Sequence, residues 1–249
     1  MFIDRKTELE LLDQRYRSNQ AELFVLYGRR RVGKTELLHA FCADKPHIFF
    51  IATLSSDSEQ LATFSQQVYG FTHADVPSGF TFPSWEAALR ALGELPGQPK
   101  PIIVLDEFTY LISGNKAIPS ILQKVWDETL KNTQIMIVLC GSYIGMMETE
   151  VLGYQAPLYG RRTASTLLRP MDLASSALFF PSYSAEEKFL TWAVVGGMPY
   201  YLRTFQDSQD VFANIRQHIL DAQSGTLFNE PRLLLMEELR EPRNYFSLL

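Results

Sequence analysis

Short apolar runs alternate with segments of helical periodicity along the first two thirds of the chain. Four of these runs predict strands buried on both faces of a parallel sheet, and a weaker run predicts a fifth strand. The runs lie at 23–28, 47–53, 102–106, 135–140 and 164–168. Apolar positions three or four residues apart predict helices between them. These helices are expected at 4–17, from near Lys34, after Ser56, at 85–92 and from Ile118.

Local signals predict several helix ends. Asp4 or Thr7 is expected to cap the first helix, and Gly70 to end the helix that follows Ser56. Two capping boxes, each a serine followed three residues later by a glutamate, predict helix starts. They are Ser56 with Glu59 and Ser184 with Glu187.

The pattern changes after Met171, where no strong strand signal follows and helical periodicity dominates. We therefore predict an α/β core at 1–170, a helical lid at 171–225 and a C-terminal segment at 226–249. Alternation of strands and helices in the core predicts a parallel sheet of about five strands with helices on both faces.

The composition is that of an ordinary globular protein. The chain has 249 residues, of which 46% are hydrophobic and 20% charged, and a formal net charge of −5. These values exclude disordered, collagen-like and coiled-coil classes and argue against a nucleic-acid coat. The two cysteines show no zinc or disulfide spacing.

The first residues lack a signal-peptide pattern, and no apolar run approaches the roughly 20 residues that span a bilayer, so we expect a cytoplasmic protein without a membrane partner.

Residues 28–35 carry the strongest functional motif. They read Gly-Arg-Arg-Arg-Val-Gly-Lys-Thr and match G-x-x-x-x-G-K-[ST] between a predicted buried strand and a predicted helix. Backbone N–H groups of such a loop cradle phosphates, Lys34 would reach the β- and γ-phosphates, and the Thr35 hydroxyl would bind Mg²⁺. The predicted nucleotide-binding residues here are Gly28, Arg29, Arg30, Arg31, Val32, Gly33, Lys34, Thr35 and Glu36. The three arginines either form a basic rim for phosphates or a partner, or are simply solvated.

Five further residues carry candidate chemistry. Asp106 and Glu107 end the third predicted strand, where Asp106 can hold Mg²⁺ and Glu107 can polarise the attacking water. Ser142, after the fourth strand, can contact the γ-phosphate or the water, cap a helix at 143–148, or do both. Arg161 and Arg162, before the fifth strand, can stabilise transition-state charge or form a solvated or acid-paired surface pair.

In this order the motifs resemble the archaeal-type ATPase family, which belongs to the AAA+-type P-loop ATPases and is related to the STAND signalling ATPases. The segments that carry the resemblance are Phe-Ile-Asp-Arg at 2–5 with Glu8-Leu9, GRRRVGKTEL, IIVLDEF, LCGSYIGMM, LYGRRT and GGMPYYL. The resemblance implies a sheet order of 5-1-4-3-2 followed by a helical lid. It also implies that Asp106-Glu107 is the Walker B pair and that Ser142 stands at the sensor-1 position. Pro199 would lie near the adenine, with Ile3 and Arg5 packed near the same base.

The function expected from these features is Mg²⁺-dependent ATP binding and hydrolysis, coupled to a conformational change or to assembly of a homo-oligomer. Two alternatives stay open: a nucleotide-gated switch or scaffold with little turnover, and, less favoured, a small-molecule P-loop kinase. The chain lacks the Asn/Thr-Lys-x-Asp guanine signature, which favours ATP/ADP over guanine nucleotides.

The C-terminal segment carries a further expectation. Family members often continue into a winged-helix and nuclease-like region, through which DNA would be a partner. The apolar end at 245–249 is therefore expected to contact a neighbouring molecule or to expose apolar surface, as in a chain cut short before such a region.

Overall fold

The computed structural model describes residues 2–238, and its central feature is a five-stranded parallel sheet. The strands are β1 (Glu22–Tyr27), β2 (His47–Ile51), β3 (Ile102–Asp106), β4 (Met136–Gly141) and β5 (Ala164–Leu167). They lie in the order β2-β3-β4-β1-β5, and every neighbouring pair is parallel. This is the predicted order 5-1-4-3-2 counted from the other edge, so the predicted fold class is confirmed.

Helices cover both faces of the sheet, and loops and turns connect them. The α-helices are α1 (Lys6–Tyr16), α2 (Lys34–Cys42), α3 (Asp57–Thr72), α4 (Trp85–Ala91), α5 (Phe108–Gly114), α6 (Ile118–Glu128), α7 (Ile144–Met146), α8 (Leu173–Ala177), α9 (Ala185–Val195), α10 (Pro199–Leu202), α11 (Val211–Ile215) and α12 (Glu230–Glu238). Short 3₁₀ turns follow α4 and α6, and π-helical segments follow α7 and α11. None of the helices within 2–238 combines the length and apolar character that crossing a membrane requires.

The core consists of two apolar layers separated by the sheet, with a third cluster in the helical part. Successive residues of β1 alternate between the layers: Leu23 and Val25 pack with α3 to α6, whereas Phe24 and Leu26 pack with α1 and α2. Both faces of β1, β3 and β4 are therefore buried, which explains why these strands are continuous apolar runs. The third cluster joins α8 to α11 and their connections, and includes Phe180, Tyr183, Leu202, Phe205 and Val211.

Both capping boxes form as predicted, at the starts of α3 and α9. Two other predicted helix ends are wrong. Neither Asp4 nor Thr7 caps α1: the preceding residue is Arg5, whose guanidinium has only donors and therefore cannot accept a helix N–H. Helix α3 continues through Gly70 to Thr72, because Gly70 does not adopt the positive φ with which a glycine ends a helix.

Within the helical part, the backbone of Gly197 packs directly against Met171, the first residue of that part. The Met171 N–H donates to the Gly197 carbonyl oxygen at 2.7 Å, and a Cβ on Gly197 would lie 1.7 Å from the Met171 carbonyl oxygen. Only glycine therefore fits at this position. The proposed domain limits at 170 and 225 stay predictions. The apolar end at 245–249 lies outside the described residues.

Candidate active site

The loop of residues 28–35 connects β1 to α2. Each of its two glycines is required for a different physical reason. Gly28 lies so close to the strand beside it that a Cβ would be 2.5 Å from the Leu168 carbonyl oxygen. Gly33 precedes α2 with a φ of 94°, a left-handed conformation that favours glycine. The first turn of α2 therefore faces the loop with unpaired N–H groups and the positive end of its dipole, a ready site for an anion.

Lys34 is folded back inside this loop. Its Nζ atom donates to the carbonyl oxygens of Gly28 at 2.9 Å and Arg29 at 3.0 Å, and only 5% of the residue is exposed. Burial lowers the pKa of the Lys34 ammonium, and the nearby Asp106 and Glu107 carboxylates act in the opposite direction. A phosphate group could replace the loop carbonyls as the partner of this ammonium, because its negative oxygens accept charge-assisted hydrogen bonds.

Thr35 and Asp106 meet at the carboxyl end of the sheet. The Thr35 hydroxyl donates to Asp106 Oδ2 at 2.6 Å, although the residues are 71 positions apart. Asp106 is 1% exposed, and its other oxygen accepts the Glu107 N–H at 2.9 Å. A hydroxyl beside a buried carboxylate is a donor set that fits Mg²⁺, which takes few protein ligands and completes its shell with phosphates and water. Within residues 2–238 no group of three or more His, Cys, Asp or Glu side chains could hold a metal by itself.

Glu107 and Ser142 form the second pair of the site. The Ser142 hydroxyl donates to Glu107 Oε1 at 2.7 Å. Ser142 does not cap the following helix, since α7 begins after Tyr143 and has no side-chain cap. Glu107 has a φ of 51°, and a left-handed residue other than glycine costs roughly 1–2 kcal/mol. The strained residue is thus the one whose carboxylate accepts the Ser142 hydroxyl.

The space around these residues divides into three connected hollows. The phosphate cleft, about 300 Å³, is lined by Lys34, Thr35, Glu107 and Ser142 on one side and by Pro199, Tyr200 and Arg203 on the other. A second hollow of about 410 Å³, the adjoining pocket, shares Arg30, Glu107 and Ser142 with it. The third, the base hollow, is lined by residues from the chain start, the loop and the helical part. They are Phe2, Ile3, Arg5, Val32, Gly33, Glu36, Met171, Phe179, Pro199 and Arg203.

Ile3, Arg5 and Pro199 therefore lie together beside the loop, and their contact with an adenine stays a prediction. Arg5 donates through Nη2 to the Val32 carbonyl oxygen at 3.0 Å and is 8% exposed. The Pro199 Cγ atom lies 3.7 Å from where a Cβ of Gly33 would be. The base hollow between them holds only about 10 Å³, which is less than a purine ring occupies.

Arg161 and Arg162 are not brought to this loop. Tyr27, the last residue before the loop, pairs with Leu167 at the end of β5. Arg162 lies five residues before Leu167, and a strand rises about 3.3 Å per residue. The backbone of Arg162 is therefore about 16 Å from the loop side of the sheet. Arg161 instead forms an ion pair with Asp127 on α6, with Nη2 and Oδ2 2.9 Å apart. Arg162 donates to the Leu152 carbonyl oxygen at 2.8 Å. In this conformation neither arginine can contact a phosphate bound by its own chain.

Comparison with known proteins places the chain in a family of ATPases. The family model described as an ATPase domain predominantly from Archaea matches residues 2–205. The chain belongs to this ATPase family. An uncharacterized protein of Methanocaldococcus jannaschii is 31% identical over 249 residues, which are 100% of this chain and 53% of that relative. An uncharacterized ATP-binding protein of the same organism is 53% identical over 45 residues, 18% of this chain and 76% of the relative. The chain thus spans about half the length of the relative that it matches from end to end.

Solved structures share the fold of this ATPase-family chain. The Walker-type ATPase of Pyrococcus abyssi superposes with a TM-score of 0.65 at 22% identity, covering 98% of this chain and 76% of the other. The ORC1 protein of Aeropyrum pernix, solved in complex with DNA, gives 0.58 at 16% identity, covering 93% and 62%. These likenesses extend over the sheet and the helical part together.

The structure adds contacts that the sequence analysis of this ATPase-family chain missed. Arg30 donates to the Tyr110 hydroxyl, beside the adjoining pocket. Glu36 accepts two hydrogen bonds from the guanidinium of Arg203, which follows α10, and this pairing lowers the pKa of Glu36. Arg203 directly follows the GGMPYYL segment, so its position near the loop could have been inferred from the placement of Pro199. Nothing in the pattern around Tyr110 pointed to the site.

Proposed function

We propose that this chain binds ATP with Mg²⁺ between the loop of residues 28–35 and the helical part, and that it hydrolyses the γ-phosphate. The observation that carries the proposal is the Thr35–Asp106 contact at 2.6 Å, with Glu107 as the next residue. It joins the first turn of α2 to the end of β3, where a phosphate-bound cation needs its two protein ligands.

Each residue then has a distinct role. Thr35 and Asp106 would hold Mg²⁺, which when bound neutralises charge on the phosphate oxygens. Lys34 would exchange its two carbonyl partners for phosphate oxygens. Glu107 would orient the attacking water and accept its proton, and Ser142 would hold the Glu107 carboxylate in place. The chemistry is positioning and electrostatic stabilisation, with no covalent intermediate.

The base hollow supports coupling between nucleotide and conformation. Because it is too small for a purine, adenine entry would displace Pro199 and the bidentate Glu36–Arg203 pair that joins α2 to the helical part. Nucleotide state would therefore set the position of the helical part. The small base hollow also favours the alternative of a slow nucleotide-gated switch. Single-turnover kinetics separates such a switch from a continuous ATPase.

Assembly is a further element of the proposal. Since Arg161 and Arg162 lie at the end of the sheet remote from their own loop, they can stabilise transition-state charge only in a neighbouring copy. The active form would then be a homo-oligomer in which each site is completed by the next chain.

Nucleotide binding and phosphate release test the proposal. Lys34→Ala should lose ATP binding, because a charge-assisted contact to phosphate disappears. Glu107→Gln should bind ATP as the parent does and release little phosphate, since the amide cannot accept the proton. Lys116→Ala, in an exposed turn, and Glu10→Gln, on the exposed surface of α1, make the same changes in charge and should behave as the parent. Hydrolysis by Glu107→Gln at the parental rate would show that Glu107 is not the base.

A further inference from the structure

Helix α12 reaches the nucleotide loop through its first residue. Glu230 is only 6% exposed, and its carboxylate forms an ion pair with Arg31 in the middle of the loop. The same carboxylate accepts the Tyr201 hydroxyl at 2.6 Å, and the Arg31 guanidinium lies 4.6 Å above the centre of the Tyr200 ring. One buried carboxylate thus ties α12 and α10 to the loop.

This contact places a negative charge beside a site built for an anion. Arg31 lines the phosphate cleft, and its ion pair with Glu230 offsets the positive charge that it presents to a phosphate there. A buried carboxylate is screened by little water, and its repulsion of a nearby phosphate is therefore stronger than the same pair would show at the surface. Glu230 and nucleotide phosphate must compete for one guanidinium.

A second contact of α12 lies one helical turn further on. Leu234 lines the adjoining pocket together with Arg29, Glu107 and Ser142. Positions four apart share one helix face, so Glu230 and Leu234 lie on the same side of α12. That side covers the loop arginines and also the approach to the water-orienting glutamate.

We propose that Glu230 sets the nucleotide affinity of the site by competing with phosphate for Arg31, and that α12 is a latch released when nucleotide binds. This inference rests on the proposed function. Because coupling between two binding events is reciprocal, a nucleotide that weakens the Arg31–Glu230 pair must bind more tightly when the pair is absent. A glutamate that only supported the fold would behave oppositely, since its loss would loosen the site.

The test compares Glu230→Gln with Glu186→Gln, which removes the same charge from the exposed surface of α9. Binding of a non-hydrolysable ATP analogue is measured by titration calorimetry. Glu230→Gln keeps the acceptor for Tyr201 and should bind the analogue about tenfold more tightly than the parent, a shift of about 1.4 kcal/mol. Glu186→Gln should change the affinity less than twofold.

Hydrogen exchange of 230–238 in the unaltered chain supplies a second readout that needs no variant. Exchange should be faster with the analogue than without it, and in Glu230→Gln it should be fast in both states. Unchanged or weaker binding by a folded Glu230→Gln overturns the latch, as does slower exchange of α12 with nucleotide. If Glu230→Gln does not fold, the exchange result of the unaltered chain decides. Absence of binding by the unaltered chain overturns the proposed function itself, whereas normal binding without these effects overturns only the latch.

Discussion

The hydrogen bond from Ser142 to Glu107 gives the sharpest prediction for catalysis. Replacing Ser142 with alanine removes the 2.7 Å bond to Glu107 Oε1 and leaves the other site side chains in place. A hydrogen bond to a charged group contributes about 1.5–3 kcal/mol, and the partial exposure of this pair favours the lower end. About 1.4 kcal/mol corresponds to a tenfold loss of rate, so Ser142→Ala should lower kcat about tenfold. The affinity for ATP should not change, because in the proposed mechanism Ser142 acts only on the Glu107 carboxylate.

Phosphate release at saturating ATP and calorimetric ATP binding measure the two effects. Ser113→Ala is a matched control: this serine lines the same adjoining pocket, but its hydroxyl bonds the Thr109 carbonyl within α5. A double-mutant cycle provides the decisive comparison. If Ser142 acts only through Glu107, then Glu107→Gln with Ser142→Ala should be no slower than Glu107→Gln alone. A parental rate for Ser142→Ala, or a further tenfold loss in the double variant, would refute this reasoning.

Two other predictions concern Gly197, in the helical part, and Arg162. Gly197→Ala should lower the free energy of unfolding by about 3 kcal/mol, the upper end for overpacking, because its Cβ would meet the Met171 backbone at 1.7 Å. Chemical denaturation measures this, and Gly145→Ala, whose Cβ would have its nearest neighbour at 3.9 Å, should change it little. Mixing Arg162→Ala with Glu107→Gln should restore part of the phosphate release that each lacks alone, since each protein supplies what the other has lost. Activity that stays absent on mixing would exclude action of Arg162 across a subunit boundary.

The strands and the loop of residues 28–35 could be predicted because their signals are local. A strand buried on both faces must be apolar at successive positions, and the runs at β1, β3 and β4 meet that condition. The two motif glycines are likewise required by backbone geometry within a few residues. Helix α5 was missed because it has only seven residues and begins directly after Glu107, whose left-handed backbone no local pattern predicts.

The sequence by itself thus determined the fold class, and it predicted the candidate loop of residues 28–35 and the carboxylates at and after the end of β3, since backbone preference and burial leave a mark on neighbouring residues. Only the tertiary structure decided which side chains meet. Ser142 reaches Glu107, Glu230 reaches Arg31, and Arg162 lies away from its own loop because of strand register and the docking of helices. Such pairings join residues far apart in the chain, and an arginine or a glutamate that will be paired has the same local sequence pattern as one that will be solvated.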